Sequence, residues 1–339
     1  MKEFKGYKHG INFGGWFSQC DNTEERYDSF IHEADFEMAS KWGLDHVRIP
    51  IDYELVLNDD NSFKQSGFDR IQKCIDLCKK YGLNMILDLH KTVGYSFDDG
   101  EEEEGFFENE YYQDIFCNLW AQLAREFGQN DNLAFELLNE VTEKSYIDKW
   151  NEISTKAIQN IRDFAPTIKI LVGSYYNNSV TAVRDLAMPY DDNIVYNFHC
   201  YDPIAFTHQG AYWIDTMDTS FRMRFEETYD TYRKNTKVIG ERFLAGLPEG
   251  SDLIDERFFE ELFADAIKVS QERNVPLYCG EYGVIDLADP RDTVKWYRCI
   301  NKVFEKYDIG RAAWTYKEMD FGLIGEHYDE VRKELIKLL

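Results

Sequence analysis

Two short apolar runs in the chain each close on a glutamate. The first is Leu133-Ala-Phe-Glu-Leu-Leu-Asn-Glu-Val141, which ends in Asn139-Glu140; the second is Pro276-Leu-Tyr-Cys-Gly-Glu-Tyr-Gly283, which carries Glu281. Short runs without an amphipathic gap read as strands buried on both faces, as in a parallel sheet covered by helices. The C-terminal end of such a strand is where α/β barrels place their chemistry. One Asn-Glu pair alone would be a strand stopping in polar loop residues. Two strand-end glutamates about half a barrel apart are the pair that cleavage of a glycosidic bond uses, one as proton donor and one as nucleophile or base.

Other strand ends carry residues of matching chemistry. Arg48 closes Asp45-His-Val-Arg-Ile-Pro50, His90 closes Asn84-Met-Ile-Leu-Asp-Leu-His90, and His199 with Tyr201 follows Ile194-Val-Tyr-Asn-Phe. Trp314 ends Arg311-Ala-Ala-Trp314, and Trp16 follows Gly10-Ile-Asn-Phe-Gly-Gly15. A single strand-end histidine is usually structural. Acid, base, cation, amide and aromatic plate at one mouth are hard to obtain from packing alone.

These residues need a frame, and the alternation of strand and helix signals supplies it. Helices are predicted at about 33–42, 68–81, 111–127, 146–164, 256–272 and 293–307, with a short one near Thr181 and another at the end of the chain. Phe68, Ile71, Ile75 and Cys78 share one helix face, and Gly82 stops that helix. Strands fall between the helices, including one at about 170–173. The eight βα units predict an α/β fold, a (β/α)8 barrel formed by residues 1–339 as one catalytic domain. A segment of about 201–252 after the sixth strand is too long for a plain connection and reads as an inserted subdomain, with one helix expected at about 221–232.

Composition narrows the ligand. Hydrophobic residues make up 44% and charged residues 30%, which are globular values, and aromatics reach 16%. A formal charge of −25 repels nucleic acid and anionic membrane, so a neutral or cationic ligand is expected. No stretch approaches 18 apolar residues and the N-terminus has no signal-like apolar core, so the expected location is cytoplasmic, or secreted with a signal removed. The seven cysteines are scattered; Cys74 and Cys78 read as small core residues rather than zinc ligands. Asp98-Asp-Gly-Glu-Glu-Glu-Glu104 reads as a solvated acidic loop without calcium-loop spacing. Trp42, Trp120, Trp150 and Trp296 fall inside helices and read as packing residues. Trp16, Trp213 and Trp314 fall where an indole could stack on a sugar ring.

The stretch Leu133–Thr142 resembles the signature of glycoside hydrolase family 5, the family of many cellulases. The segments Gly10–Trp16, His46–Pro50, Asp88–His90, Tyr196–His199 with Tyr201, Tyr278–Gly283 and Trp314 follow in the family's order over essentially the whole chain. The resemblance implies Glu140 as acid/base and Glu281 as nucleophile of a retaining mechanism. It implies that Arg48 and Tyr201 hold the nucleophile, Asn139 binds the sugar's 2-hydroxyl and His90 a neighbouring one. His199 would sit by the acid/base, and Trp314 would floor the sugar subsite beside the cleaved bond. Retention requires carboxyls about 5–5.5 Å apart. At that distance repulsion keeps one protonated, and a guanidinium beside Glu281 decides which. One departure is Lys91, where a close pattern in the family has a second histidine.

The expected activity is therefore endo-hydrolysis of β-1,4 bonds in cellulose-like or mixed-linkage β-glucan, by a monomer with no metal or organic cofactor. A β-mannanase, a β-1,3-glucan hydrolase and a non-catalytic carbohydrate-binding barrel are the alternatives. The presence of both glutamates argues against the last.

Overall fold

The computed structural model describes residues 1–98, 104–244 and 246–339. Eight parallel strands close a barrel in chain order: β1 (His9–Asn12), β2 (His46–Asp52), β3 (Asn84–Lys91), β4 (Leu133–Glu136), β5 (Lys169–Val172), β6 (Ile194–Cys200), β7 (Leu277–Tyr282) and β8 (Gly310–Ala313). β8 pairs back onto β1, so no edge is left unpaired. The (β/α)8 barrel read from the sequence is the observed fold.

Helices Glu33–Lys41, Gln65–Tyr81, Glu110–Phe127, Ile147–Arg162, Glu256–Arg273, Pro290–Tyr307 and Arg332–Ile336 surround the strands. Their ends follow local chemistry. Gly82, at φ 70°, closes Gln65–Tyr81, and Asp289 caps Pro290–Tyr307 by accepting from the backbone N–H groups of Arg291 and Asp292. Phe68, Ile71, Ile75 and Cys78 are buried on one face, as their spacing predicts. Full burial of a large apolar side chain contributes about 1.5–3 kcal/mol each.

Alternation along the strands sorts the barrel interior into layers. Ile86, Ala134, Leu171, Val195, Tyr278 and Ala312 form an apolar cluster with Phe4 and Tyr7, whose rings stack 4.2 Å apart. Two residues further along the same strands the inward positions become Asp88, Glu136, Asn197, Gly280 and Trp314. One more step reaches His90 and His199. Period-two geometry thus carries the interior from packing to chemistry within two steps.

Two elements differ from the sequence reading, β4 and the helix of the insertion. The β4 ladder ends at Glu136, and residues 137–141 leave it: Leu137 N–H donates to Leu171 O and Asn139 N–H to Leu89 O, at 3.2 and 3.0 Å. The apolar run is continuous because Leu137 and Leu138 are buried in the turn, not because the strand continues. After β5 the short helix expected near Thr181 is present as the 3-10 segment Val180–Asp185, in place of a full crossover helix. In the insertion, the long helix is Tyr229–Ile239, capped by Thr228, rather than 221–232, and it is accompanied by short helical segments at Ile204–Thr207 and Glu241–Leu244 rather than standing alone. Phe221 and Phe225 have helix-like spacing but serve an anchoring loop, where Phe225 N–H and the Arg224 guanidinium both bind Asp292. Most of the acidic loop 98–104 lies outside the described residues. No helix among the described residues is long and apolar enough to cross a membrane.

Candidate active site

Arg48 organises the barrel mouth. It is fully buried and uses all its donors on side chains from four strands or their ends. Nε and Nη2 form a fork onto Glu136, at 2.7 and 2.8 Å. Nη1 donates to Glu281 Oε1 at 2.8 Å and to Asn12 Oδ1 at 2.9 Å. Nη2 also donates to Asn139 Oδ1 at 2.9 Å and lies 3.0 Å from Asp88 Oδ2. Only a planar fork can meet so many acceptors at once.

The two glutamates named from the sequence meet here in different surroundings. Oxygens of Glu140 and Glu281 and a nitrogen of His199 all lie within 4.8 Å of one another. Glu281 accepts from Arg48 on one oxygen and from the Tyr201 hydroxyl on the other, at 2.8 Å each. Glu140 Oε1 faces His199 Nδ1 at 2.7 Å and Oε2 accepts from Asn177 Nδ2 at 2.9 Å. Burial pushes Glu140 up to about 7, against the opposing pull of Asn177 and Arg48. Burial likewise lowers His199 to about 4, so its ring is neutral at pH 7. These three residues are also the one group with metal-ligand proximity among the described residues, but their facing atoms already have hydrogen-bond partners. The arrangement suits proton transfer beside a carboxylate held by a guanidinium and a hydroxyl.

The strand geometry that delivers these groups is local. A register shift between Phe198 and His199 sets His199 opposite Glu281 across β6 and β7. Gly280 permits it, since a Cβ there would lie 2.9 Å from His199 Nε2 and 2.8 Å from Asn197 Oδ1. Glu140 adopts φ 38°, and the Tyr95 hydroxyl holds that turn by donating to Glu140 O at 2.7 Å and accepting from Thr142 N–H at 2.9 Å. Three indoles tie outer helices to the loops at strand ends. Trp120 donates to Leu137 O, Trp150 to Gly173 O and Trp296 to Asp202 O, at 3.0, 2.8 and 2.9 Å.

The remaining named residues divide. His90 binds Asp88 at 2.5 Å, and burial lowers it to about 3. Its ring lies parallel to Trp314, centroids 5.8 Å apart, so both border the same mouth. Asn139 Oδ1 is taken by Arg48, leaving its buried Nδ2 without a partner. Trp213, 40% exposed, reaches Tyr201 through ring contacts with His208 and Phe321. Trp16 is placed elsewhere: its indole donates to Tyr27 O, stacks on Phe17, and lines a separate cavity of about 130 Å³ with Phe36, Cys74 and Leu77. Lys91 pairs with Glu54 at 2.8 Å on the opposite side of β3 from His90. Sequence reasoning gave no role to Asn12, Asp88, Glu136, Asn197 or Asn177. Counting back by two from His90 and His199 would have found Asp88 and Asn197; nothing local marks Asn177.

A family model described as Cellulase (glycosyl hydrolase family 5) matches residues 6–320. Cellodextrinase A of Ruminococcus flavefaciens is 47% identical over 321 residues, covering 93% of this chain and 88% of the relative. Endoglucanase C of Acetivibrio thermocellus is 36% identical over 349 residues, covering 98% of each. Among solved structures, the Clostridial cellulose synthase subunit Z of Clostridioides difficile has a TM-score of 0.78 at 25% identity, covering 98% of this chain and 99% of that one. Thermotoga maritima Cel5A in complex with cellobiose has a TM-score of 0.77 at 24% identity, covering 98% and 97%, and shows the fold alone. With the match spanning almost the whole barrel, the chain belongs to glycosyl hydrolase family 5 and is a glycoside hydrolase.

Proposed function

We propose that the protein is a retaining hydrolase of β-1,4-linked glucan, working as a monomer without a metal or organic cofactor, with Glu140 as acid/base and Glu281 as nucleophile. The observation that carries this reading is the asymmetry of two carboxyls with oxygens within 4.8 Å: one bound by Arg48 and Tyr201, the other raised to about 7 by burial. Glu281 attacks the anomeric carbon while Glu140 protonates the departing glycosidic oxygen, giving a glycosyl ester. Glu140, now ionised, takes a proton from water, which attacks the same carbon and releases the sugar with its original anomeric configuration. The unpartnered Asn139 Nδ2 fits a donor to the 2-hydroxyl, because Arg48 fixes the orientation of that amide.

The names of the relatives bear on chain length. A cellodextrinase and an endoglucanase are both similar to this chain, so short cellodextrins and long glucans are the substrates to compare. Product analysis on cellohexaose, carboxymethyl cellulose, barley glucan, glucomannan and laminarin tests linkage and length. Proton NMR of the first product tests retention; an initial α-anomer would overturn it. A higher rate on mannan would transfer the reading to a mannanase.

Two predictions follow from the site. kcat/KM for a cello-oligosaccharide should fall as pH rises through about 7, since the acid form of Glu140 is required and is lost there. A dinitrophenyl cellobioside needs no leaving-group protonation, so its kcat/KM should lack that limb. The same limb on both substrates would assign it to another group. The exposed Trp213 and Tyr212, on the insertion at 201–252, are proposed as a wall that contacts sugars beyond the cleaved bond. Trp213→Ala should raise KM on long glucans about 3–10-fold, the loss of one stacking face. Turnover of the aryl cellobioside should stay near that of the unmutated enzyme. Equal losses on both would indicate a packing role.

A further inference from the structure

The loop that replaces the fifth helix has a backbone that packing does not explain. Tyr176, Asn177 and Asn178 sit in succession at φ 52°, 55° and 55°. Left-handed conformations cost energy for non-glycine residues, and for a tyrosine they are uncommon. Tyr176 gains no burial from it, being 52% exposed. What the turn gains is attachment to the segment beside Glu140. Tyr176 N–H donates to Thr142 O and Asn177 N–H to Val141 O, at 3.2 and 3.0 Å, while Ser179 pairs with His199 as an isolated bridge. The turn is therefore fixed to the two strand ends that carry the acid/base and its histidine.

Both asparagine side chains of the turn are used on that pair. Asn177 Nδ2 donates to Glu140 Oε2 at 2.9 Å. Asn178 Nδ2 faces His199 Nε2 at 3.4 Å, and the close seat of Asn178 depends on Gly173, where a Cβ would lie 2.2 Å from Asn178 Oδ1. With Nε2 accepting, the neutral imidazole carries its proton on Nδ1 and donates it to Glu140 Oε1. One oxygen of the carboxyl is held directly by the turn and the other through His199.

We propose that the left-handed turn 176–178 is a positioning device for the acid/base, in which Asn177 grips Glu140 Oε2 and so favours the ionised form that deprotonates water in the second step. The proposal rests on the assignment of Glu140 above. A donor to a carboxylate stabilises the charged form and lowers the pKa, and here it opposes burial. The charged and titratable groups around Glu140 are Arg48 from β2, Asp88 from β3, Glu136 from β4, His199 from β6, Glu281 from β7, and the hydroxyls of Tyr95 and Tyr201. None of these belongs to the turn, so removing the Asn177 amide alters one donor and leaves the rest in place.

Asn177→Gly is the variant to make, because glycine accepts the left-handed backbone and removes only the amide. The basic limb of kcat/KM for a cello-oligosaccharide should move up by about one pH unit, the scale of one lost hydrogen bond to a carboxylate. The water-dependent release step, measured with the dinitrophenyl cellobioside below pH 7, should slow several-fold, because less Glu140 is ionised. Asn177→Asp, isosteric and compatible with the same backbone, should move the limb further up by placing a like charge on the carboxyl. Reduced activity with an unmoved limb in both variants would make the turn merely structural and overturn the proposal. Glu140→Ala separates this from failure of the underlying assignment. If that variant keeps the basic limb on the oligosaccharide, Glu140 is not the acid, and the fault lies there rather than with Asn177.

Discussion

Glu140→Ala should lose almost all hydrolysis of cello-oligosaccharides, by at least about a thousandfold, yet still form a glycosyl-enzyme from dinitrophenyl cellobioside. The oligosaccharide's leaving alcohol needs a proton, which the variant cannot give, whereas a dinitrophenolate leaves unaided. The intermediate should then accumulate, because water has lost its base. Azide should release it, being an anionic nucleophile that needs no base, and the product should be the β-glycosyl azide. Glu281→Gly should be equally inactive for the opposite reason: no ester can form, and azide entering the vacated space gives the α-azide. Burst kinetics, intact mass of the trapped enzyme and NMR of the azides read all of this. Azides of the reverse anomers would exchange the roles of Glu140 and Glu281, and a first hydrolysis product of inverted configuration would sink the double-displacement reading.

Much of this site was legible because barrel chemistry is written with a period of two. His90, His199 and Glu281 lie near strand ends whose apolar runs end where the mouth begins, and each was found by reading to the end of a run; Arg48, read as a strand-end residue, is instead the third residue of β2, which runs on to Asp52. The same logic applied one step deeper reaches Asp88, Glu136 and Asn197, the inner layer that Arg48 grips. Glu136 was overlooked because a carboxylate inside an apolar run looks like an exception, when it is the partner of a guanidinium on β2. Helix limits such as Gly82 carried their own stop signal. The insertion did not: Phe221 and Phe225 mimic a helical face, but Phe225 N–H and the neighbouring Arg224 guanidinium are fixed by Asp292, far along the chain. Asn177 was beyond reach for a similar reason. Its conformation is set by hydrogen bonds to Val141 and Thr142, and no residue next to it announces them. Trp16 shows the converse, a strand-end indole whose position suggested a sugar platform and whose hydrogen bond to Tyr27 O turns it into the wall of another cavity.

Arg48→Met should damage both activity and stability, and the stability loss should grow with pH. Burial raises Asp88 to about 7 and also raises Glu136, and Arg48 opposes both shifts. A carboxyl whose folded pKa lies above its unfolded value of about 4 costs stability as pH climbs from the unfolded pKa towards the folded one, since the folded state there holds more protons. Removing the guanidinium lifts both folded values further, so the window of loss extends upward. At pH 5 these two groups can be protonated in the variant, leaving mainly the broken hydrogen bonds with Glu136, Glu281, Asn12 and Asn139. At pH 8 ionised carboxylates are buried without their cation, a penalty of about 3–5 kcal/mol for a broken buried pair. Arg48→Lys keeps the charge but has three donors on a flexible stem, so it should recover part of the stability at pH 8 and little of the activity. A drop of about a hundredfold in kcat/KM is expected for it, because both Glu281 and the Asn139 amide lose their fixed orientation. Urea unfolding of the three proteins at pH 5 and pH 8 separates the contributions: an equal deficit for Arg48→Met at both pH values would mean that the carboxylates around Arg48 are not ionised in the folded protein, and that its role is packing rather than charge.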